Sequence, residues 1–140
     1  MKRKLPASLG IFVIATLTAT LVGCGRSDRL PLNTVEGTVS CRGKPAEGVF
    51  VVFHPENPSE KMRKLRPAAT TRAEGKFKLS TYGPGDGIPA GEYRVTAIWR
   101  GESEGNETDR LQGRYADPST TPLKITIDPA NLQPVNFDLK

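Results

Sequence analysis

Beyond residue 33 the helical period of apolar residues is absent and a period of two recurs. Seven segments read as strands, over 34–41, 49–54, 68–73, 76–82, 92–99, 123–128 and 135–140. In the first, Val35, Gly37, Val39 and Cys41 share one face, with Glu36, Thr38 and Ser40 on the other. The second is apolar on both faces, as a central strand would be. The third and fourth form a hairpin around Glu74-Gly75, where Gly75 can take the positive φ that a tight turn requires. Tyr93, Val95, Ala97 and Trp99 line one face of the fifth strand. The last two alternate Leu123, Ile125 and Ile127, then Val135, Phe137 and Leu139, with polar residues. Short strands with one wet face each must pack two sheets together, so the pattern predicts an all-β sandwich over 34–140.

The first 33 residues break that pattern. Lys2, Arg3 and Lys4 precede a run of 14 residues, 9–22, without a charge. The run is short for a bilayer core of about 30 Å and reads as the apolar region of an export signal. Leu21, Val22, Gly23 and Cys24 follow and resemble a lipobox, the recognition site of lipoprotein signal peptidase. That resemblance implies a signal peptide over 1–23, cleavage before Cys24 and a lipid on its sulfur. Two or three acyl chains, at about 0.8 kcal/mol per buried CH₂, would anchor the chain firmly. Residues 24–33 then form the lipidated cysteine and a tether, whose nine residues after Cys24 reach at most about 30 Å. Gly25, not aspartate, follows the cysteine. In many such lipoproteins this favours the outer membrane, with the domain on its periplasmic or surface face.

The export signal changes how charge and cysteine content are read. The chain has 20 basic and 15 acidic residues, and removal of Lys2, Arg3 and Lys4 leaves 17 against 15, a net charge of +2. The basicity belongs largely to the leader, and no nucleic-acid partner is expected. With Cys24 lipidated, Cys41 has no intramolecular partner and reads as a small buried hydrophobe.

Glu36-Gly37-Thr38-Val39, Gly43-Lys44-Pro45 and the run 48–53 resemble the opening of carboxypeptidase regulatory-like domains, sandwiches of the transthyretin or prealbumin type. Gly75-Lys76-Phe77, the stretch 82–87, Pro89-Ala90-Gly91-Glu92-Tyr93 and Tyr115-Ala116-Asp117-Pro118 resemble small bacterial lipoproteins built on that domain. The resemblance spans residues 35–140 and implies a seven-stranded antiparallel Greek-key β-sandwich. It implies little about function, because such a sandwich hosts many roles.

Candidate chemistry is sparse. His54 is the only histidine, which leaves zinc-peptidase and serine-triad arrangements without ligands or partners. Hydroxyisourate hydrolases of transthyretin-like fold use several histidines and a Ser-rich tail, whereas this chain ends Asp138-Leu139-Lys140. Asp86, in the glycine-rich stretch 83–91, could contribute to a calcium site, but that needs about six oxygens. Asn106-Glu107-Thr108 matches a glycosylation sequon of no weight in a bacterial lipoprotein. No catalytic residue, metal or cofactor is expected, and the chain reads as non-enzymatic. The weaker enzyme reading is a small hydrolase with Asp86, Asp117 and Tyr115 as its ingredients. A carbohydrate-binding reading would use exposed Tyr82, Tyr115 or Trp99.

Two loops carry opposite charge. The 21-residue stretch 101–121 has Glu102, Glu104, Glu107, Asp109 and Asp117 against Arg110 and Arg114, and also contains Tyr115. Loops of that length are uncommon unless they are functional or mobile. The stretch 55–66 has Lys61, Arg63, Lys64 and Arg66 against Glu56 and Glu60. If successive strands run alternately up and down, the basic loop shares an end with the tether and the acidic loop faces away. The expectation is a lipid-anchored envelope module. Its basic loop would rest near anionic headgroups, and its acidic loop would be presented to an envelope protein or a glycan.

Overall fold

The computed structural model describes residues 28–101 and 108–140. The leader, Cys24 and the residues Glu102, Glu104 and Glu107 lie outside the described residues. The described chain is almost entirely strand and loop, in two mostly antiparallel sheets. Its elements are β1 (Glu36–Cys41), β2 (Lys44–Pro45), β3 (Val49–Pro55), α1 (Glu60–Arg63), β4 (Ala68–Thr70), β5 (Lys76–Lys78), β6 (Gly91–Trp99), β7 (Lys124–Ile127) and β8 (Val135–Leu139).

In the first sheet β1 is central. Gly37 pairs with Phe77 of β5 on one side and with Val135 of β8 on the other, while β2 extends the β5 side at Ser40 and Cys41. The second sheet runs β4-β3-β6-β7. Alternating side chains from both sheets meet in one core: Val39, Phe77, Leu79, Phe137 and Leu139 against Val51, Phe53, Tyr93, Val95 and Ile127. Phe53 lies edge-on to Tyr93 at 6.1 Å and reaches Phe137 of the facing sheet at 6.4 Å between ring centroids.

Three expectations are corrected. The sheets are not antiparallel throughout, because β8 runs parallel to β1 from Gly37–Val135 to Cys41–Leu139. The expected hairpin over 68–82 divides between the sheets: β4 pairs with β3 and β5 pairs with β1, while the two arms touch through the Ala68–Ser80 bridge and the Arg72 N–H to Lys76 carbonyl bond at the turn. Alternation identifies the buried face of each arm, but Ala69 faces the core from one sheet and Phe77 from the other. The link between them is a single 3-10 turn, Ala73–Gly75, in which both Glu74 and Gly75 adopt positive φ, at 61° and 68°. Thirdly, β3 is a central strand with only one covered face. Phe50 is 45% exposed and Val52 half-buried, so the outer side of this sheet is only partly covered.

The chain enters at one end of the sandwich, here called proximal. Asn33 and Ile88 exchange backbone hydrogen bonds there, and β3 ends at Pro55 opposite Tyr93 near the start of β6. The distal end holds the turn after β1, the start of β3 opposite Trp99 and the end of β8, where Arg42 N–H donates to the Leu139 carbonyl. Thr71, 3% exposed, ties the start of β3 in place: its Oγ1 accepts from Val49 N–H at 2.8 Å and donates to the Ala46 carbonyl at 2.7 Å. Thr71→Val keeps the shape and leaves both backbone groups unpaired. The expected loss is about 2–4 kcal/mol in urea unfolding, with Thr71→Ser recovering most of it.

The Tyr93 hydroxyl donates to the Pro89 carbonyl at 2.8 Å, and burial pushes its pKa from 10.0 up to about 12. The folded chain therefore holds the phenol proton more tightly than the unfolded chain. This contribution is complete below pH 10 and is lost as the pH rises through 12. At about 1.4 kcal/mol per pH unit, wild type should lose about 2–3 kcal/mol more than Tyr93→Phe between pH 9 and 12. Parallel stability curves for the two proteins across that window would refute this.

Candidate functional site

At the proximal end the stretch 55–66 contains the single turn of α1 (Glu60–Arg63). Ser59 Oγ accepts from Met62 N–H at its start, and Pro67 follows the stretch. Lys61, Arg63, Lys64 and Arg66 are all exposed. Lys61 Nζ lies 3.4 Å from Asp28 Oδ1, so the described start of the chain runs beside this basic turn. Arg66 turns inward to the carbonyls of Arg63 and Leu65. Below them, Glu56 accepts from Arg94 Nε at 2.5 Å and lies 3.6 Å from Lys124 Nζ. The Arg94 hydrogen bond is the main reason why Glu56 is held below the usual carboxylate range.

Residues 28–33 are fastened to the sandwich. Arg29 lies over the Tyr82 ring at 5.1 Å, Leu30 N–H donates to the Tyr82 hydroxyl, and Asn33 pairs with Ile88. Gly87 permits this approach, because a Cβ there would lie 2.2 Å from the Asn33 carbonyl oxygen.

The long loop leaves β6 at the distal end and comes back along it. Ala97 N–H donates to the Tyr115 carbonyl and Val95 N–H to the Leu123 carbonyl, while Leu111, Tyr115 and Thr121 are buried. Asp109 organises the turn, accepting from the N–H groups of Trp99, Leu111 and Gly113 at 2.9, 3.0 and 2.9 Å. Asp117 sits further along, held below its ordinary pKa by the hydroxyl and N–H of Ser119, and the Ser119 carbonyl lies 3.3 Å from Arg94 Nη1. The two aspartates thus serve separate turns and do not form one acidic patch.

The aromatic candidates are buried or covered by neighbouring side chains. Tyr115 is 5% exposed, and its hydroxyl accepts from Lys140 N–H at 3.0 Å, so it offers no ring to a ligand. Its polar loop context concealed that it plugs the distal end. Tyr82 is half-buried beneath Arg29. Trp99 is half-buried, its Nε1 donates to the Glu47 carbonyl at 2.9 Å, and Arg110 lies over its ring at 4.9 Å.

Asp86 accepts from the N–H groups of Thr81, Tyr82 and Gly83. Burial alone would raise its pKa, but these donors outweigh it and keep the carboxyl below its ordinary value. It belongs to the proximal loop, whereas the Tyr115 hydroxyl meets the end of β8 at the distal end, so the proposed acid–base ingredients are not assembled. His54 Nε2 lies 3.0 Å from Thr96 Oγ1, and burial, then the nearby Arg66 charge, lowers its pKa. Among the described residues no group of three His, Cys, Asp or Glu side chains is placed to hold a metal, and no helix is long and apolar enough to cross a membrane.

A cluster that the sequence pattern did not reveal lies at the distal end. Arg42, Arg110, Arg114 and Lys140 border a cleft of about 230 Å³ with Cys41 and Leu111. They come from the β1–β2 turn, the long loop and the end of β8, too far apart in sequence to read as one charge run. Cys41 is half-buried there, not fully enclosed. Comparison with protein-family models, curated proteins and solved structures finds no match to this chain.

Proposed function

We propose that this chain is a lipid-anchored protein of the bacterial cell envelope, tethered through Cys24, whose domain is a non-enzymatic binding or structural module. Its sandwich is read as the seven-stranded Greek-key type of the carboxypeptidase regulatory-like, transthyretin-like group, with two-residue β2 as an addition and the parallel β1–β8 pair as a departure. The observation that carries the anchored reading is the attachment of residues 28–33 at the proximal end, beside the basic turn. Only the step from Cys24 to Leu30 separates the lipid from a point hydrogen-bonded to the domain, about 20 Å at full extension. An acyl group there would hold the proximal end against the membrane, with Lys61, Arg63, Lys64 and Arg66 near its headgroups. Each basic residue near an anionic surface contributes about 1 kcal/mol. The outer membrane is favoured by Gly25.

Binding, in preference to catalysis, is supported by the occupation of Asp86, Asp109 and Asp117 in loop hydrogen bonds. A sugar platform of stacked aromatic rings is less well supported, because Tyr115 is buried and arginines cover Tyr82 and Trp99. Cell fractionation tests the anchor. Wild type should sediment with membranes and yield an acylated Cys24 peptide by mass spectrometry, while Cys24→Ala should be lost from the membrane fraction by at least tenfold. Equal membrane association of the two proteins without acylation would reject the proposal.

A further inference from the structure

We infer that the distal cleft is a binding site for a phosphate-bearing ligand, recognised by Arg42, Arg110, Arg114 and Lys140. The inference deepens the envelope-binding reading, on which it rests for where the ligand is met, and names the ligand's chemistry.

Four cationic residues from three chain segments border one cleft of about 230 Å³, with Cys41 and Leu111 supplying its less polar lining. Like charges brought together in this way repel unless an anion lies between them. None of the four pairs with an acidic side chain among the described residues. The two aspartates of this end are occupied elsewhere. Asp109 accepts from three backbone N–H groups, and Asp138 accepts from Gly43 N–H at 2.9 Å and Ser40 Oγ at 2.8 Å. Asp138 feels the charge of Lys140 without bonding to it.

The arginines are also held in place. The Arg110 guanidinium stacks on Trp99, and Arg114 Nη1 donates to a main-chain oxygen of Lys140, the last residue of the sequence, at 2.5 Å, which leaves its other N–H donors for a ligand. Arg42 adopts a φ of 51°, a conformation rare for residues other than glycine, in a turn closed onto β8. Guanidinium groups match phosphate oxygens with paired, charge-assisted hydrogen bonds, and several of them together favour a doubly charged phosphate over a single carboxylate. The cleft suits one phosphorylated sugar unit, not a polynucleotide track. It lies at the end away from Asp28, so an anchored domain would present it outward.

Cys41 lines the cleft and supplies a reporter. Alkylation of Cys41 by iodoacetamide, read by peptide mass spectrometry on the full chain, should slow at least fivefold in millimolar hexose 6-phosphate and remain unchanged in hexose. Inorganic phosphate alone should give the same protection if the phosphoryl group is the whole determinant, and less if the sugar also contacts the cleft. Arg42→Gly, which suits the positive φ, should remove most of the protection without lowering the melting temperature, and Arg114→Gln should act in the same direction. Equilibrium dialysis with labelled hexose 6-phosphate provides a second reading that does not depend on thiol access. No protection and no retained ligand, or protection undiminished in both variants, overturns the site. Acylation of Cys24, read in the same spectra, reports separately on the anchor, so failure of one reading is distinguishable from failure of the other.

Discussion

Gly37→Ala is expected to destabilise the domain by about 3 kcal/mol or more, enough to leave much of the chain unfolded under mild conditions. Gly37 is the second residue of β1, where β5 and β8 both close on it. A Cβ built there would stand 2.0 Å from the Val135 carbonyl oxygen and 2.6 Å from the tip of the Phe77 ring. The ring occupies the space that a side chain would need, and the carbonyl belongs to the parallel pairing of β8. Neither can yield without opening a sheet: moving Phe77 disturbs a core residue, and moving Val135 breaks the first rung of the β1–β8 ladder. Gly43 provides the control. Its φ is 74°, but nothing lies within 4 Å of a Cβ there, so Gly43→Ala should cost only about 1 kcal/mol of backbone strain. Urea midpoints of the two variants measure the contrast. Equal, small losses would show that the first sheet is looser around Gly37 than these distances allow.

Alternation in β1, β6, β7 and β8 identified which residues face inward, because burial of one sheet face selects every second side chain. It did not identify partners. An alternating strand reads the same whether its neighbour runs parallel or antiparallel, so the pairing of β8 with β1 was invisible in Val135, Phe137 and Leu139. The arms on either side of Glu74-Gly75 looked like a hairpin for a similar reason, since a turn signal fixes a reversal of direction and not a shared sheet. The position of the basic turn beside the start of the described chain was accessible from strand alternation alone, and Lys61 with Asp28 now marks it. The three glutamates of the acidic loop, Glu102, Glu104 and Glu107, lie outside the described residues. The distal cations could not be read as a site, because what joins Arg42, Arg114 and Lys140 is the meeting of β1, the long loop and β8 in space. Tyr115 misled through its neighbours: a tyrosine among charged residues reads as exposed until the chain is seen to return along β6.

Phe53→Ala should cost about 3–5 kcal/mol, the largest loss expected from shortening a core side chain in this domain. Phe53 is 0% exposed and stands on β3 at the centre of the second sheet. Its ring meets Tyr93 edge-on within that sheet and crosses to Phe137 of β8 in the other, so one side chain joins two sheets that share no ladder at that point. Truncation leaves a cavity bounded by two aromatic rings held by their own strands, so collapse can fill little of it. The loss should also be directional. β8 is held to the first sheet by its ladder with β1 and meets the second through core side chains, Phe137 touching Phe53 directly, so removal of the Phe53 ring should raise amide hydrogen exchange along β8 more than along β5. Phe53→Leu, which retains most of the volume, should recover at least half of the stability and most of the protection in β8. If exchange rises equally in β5 and β8, the two sheets open as a unit and Phe53 does not hold that edge in place.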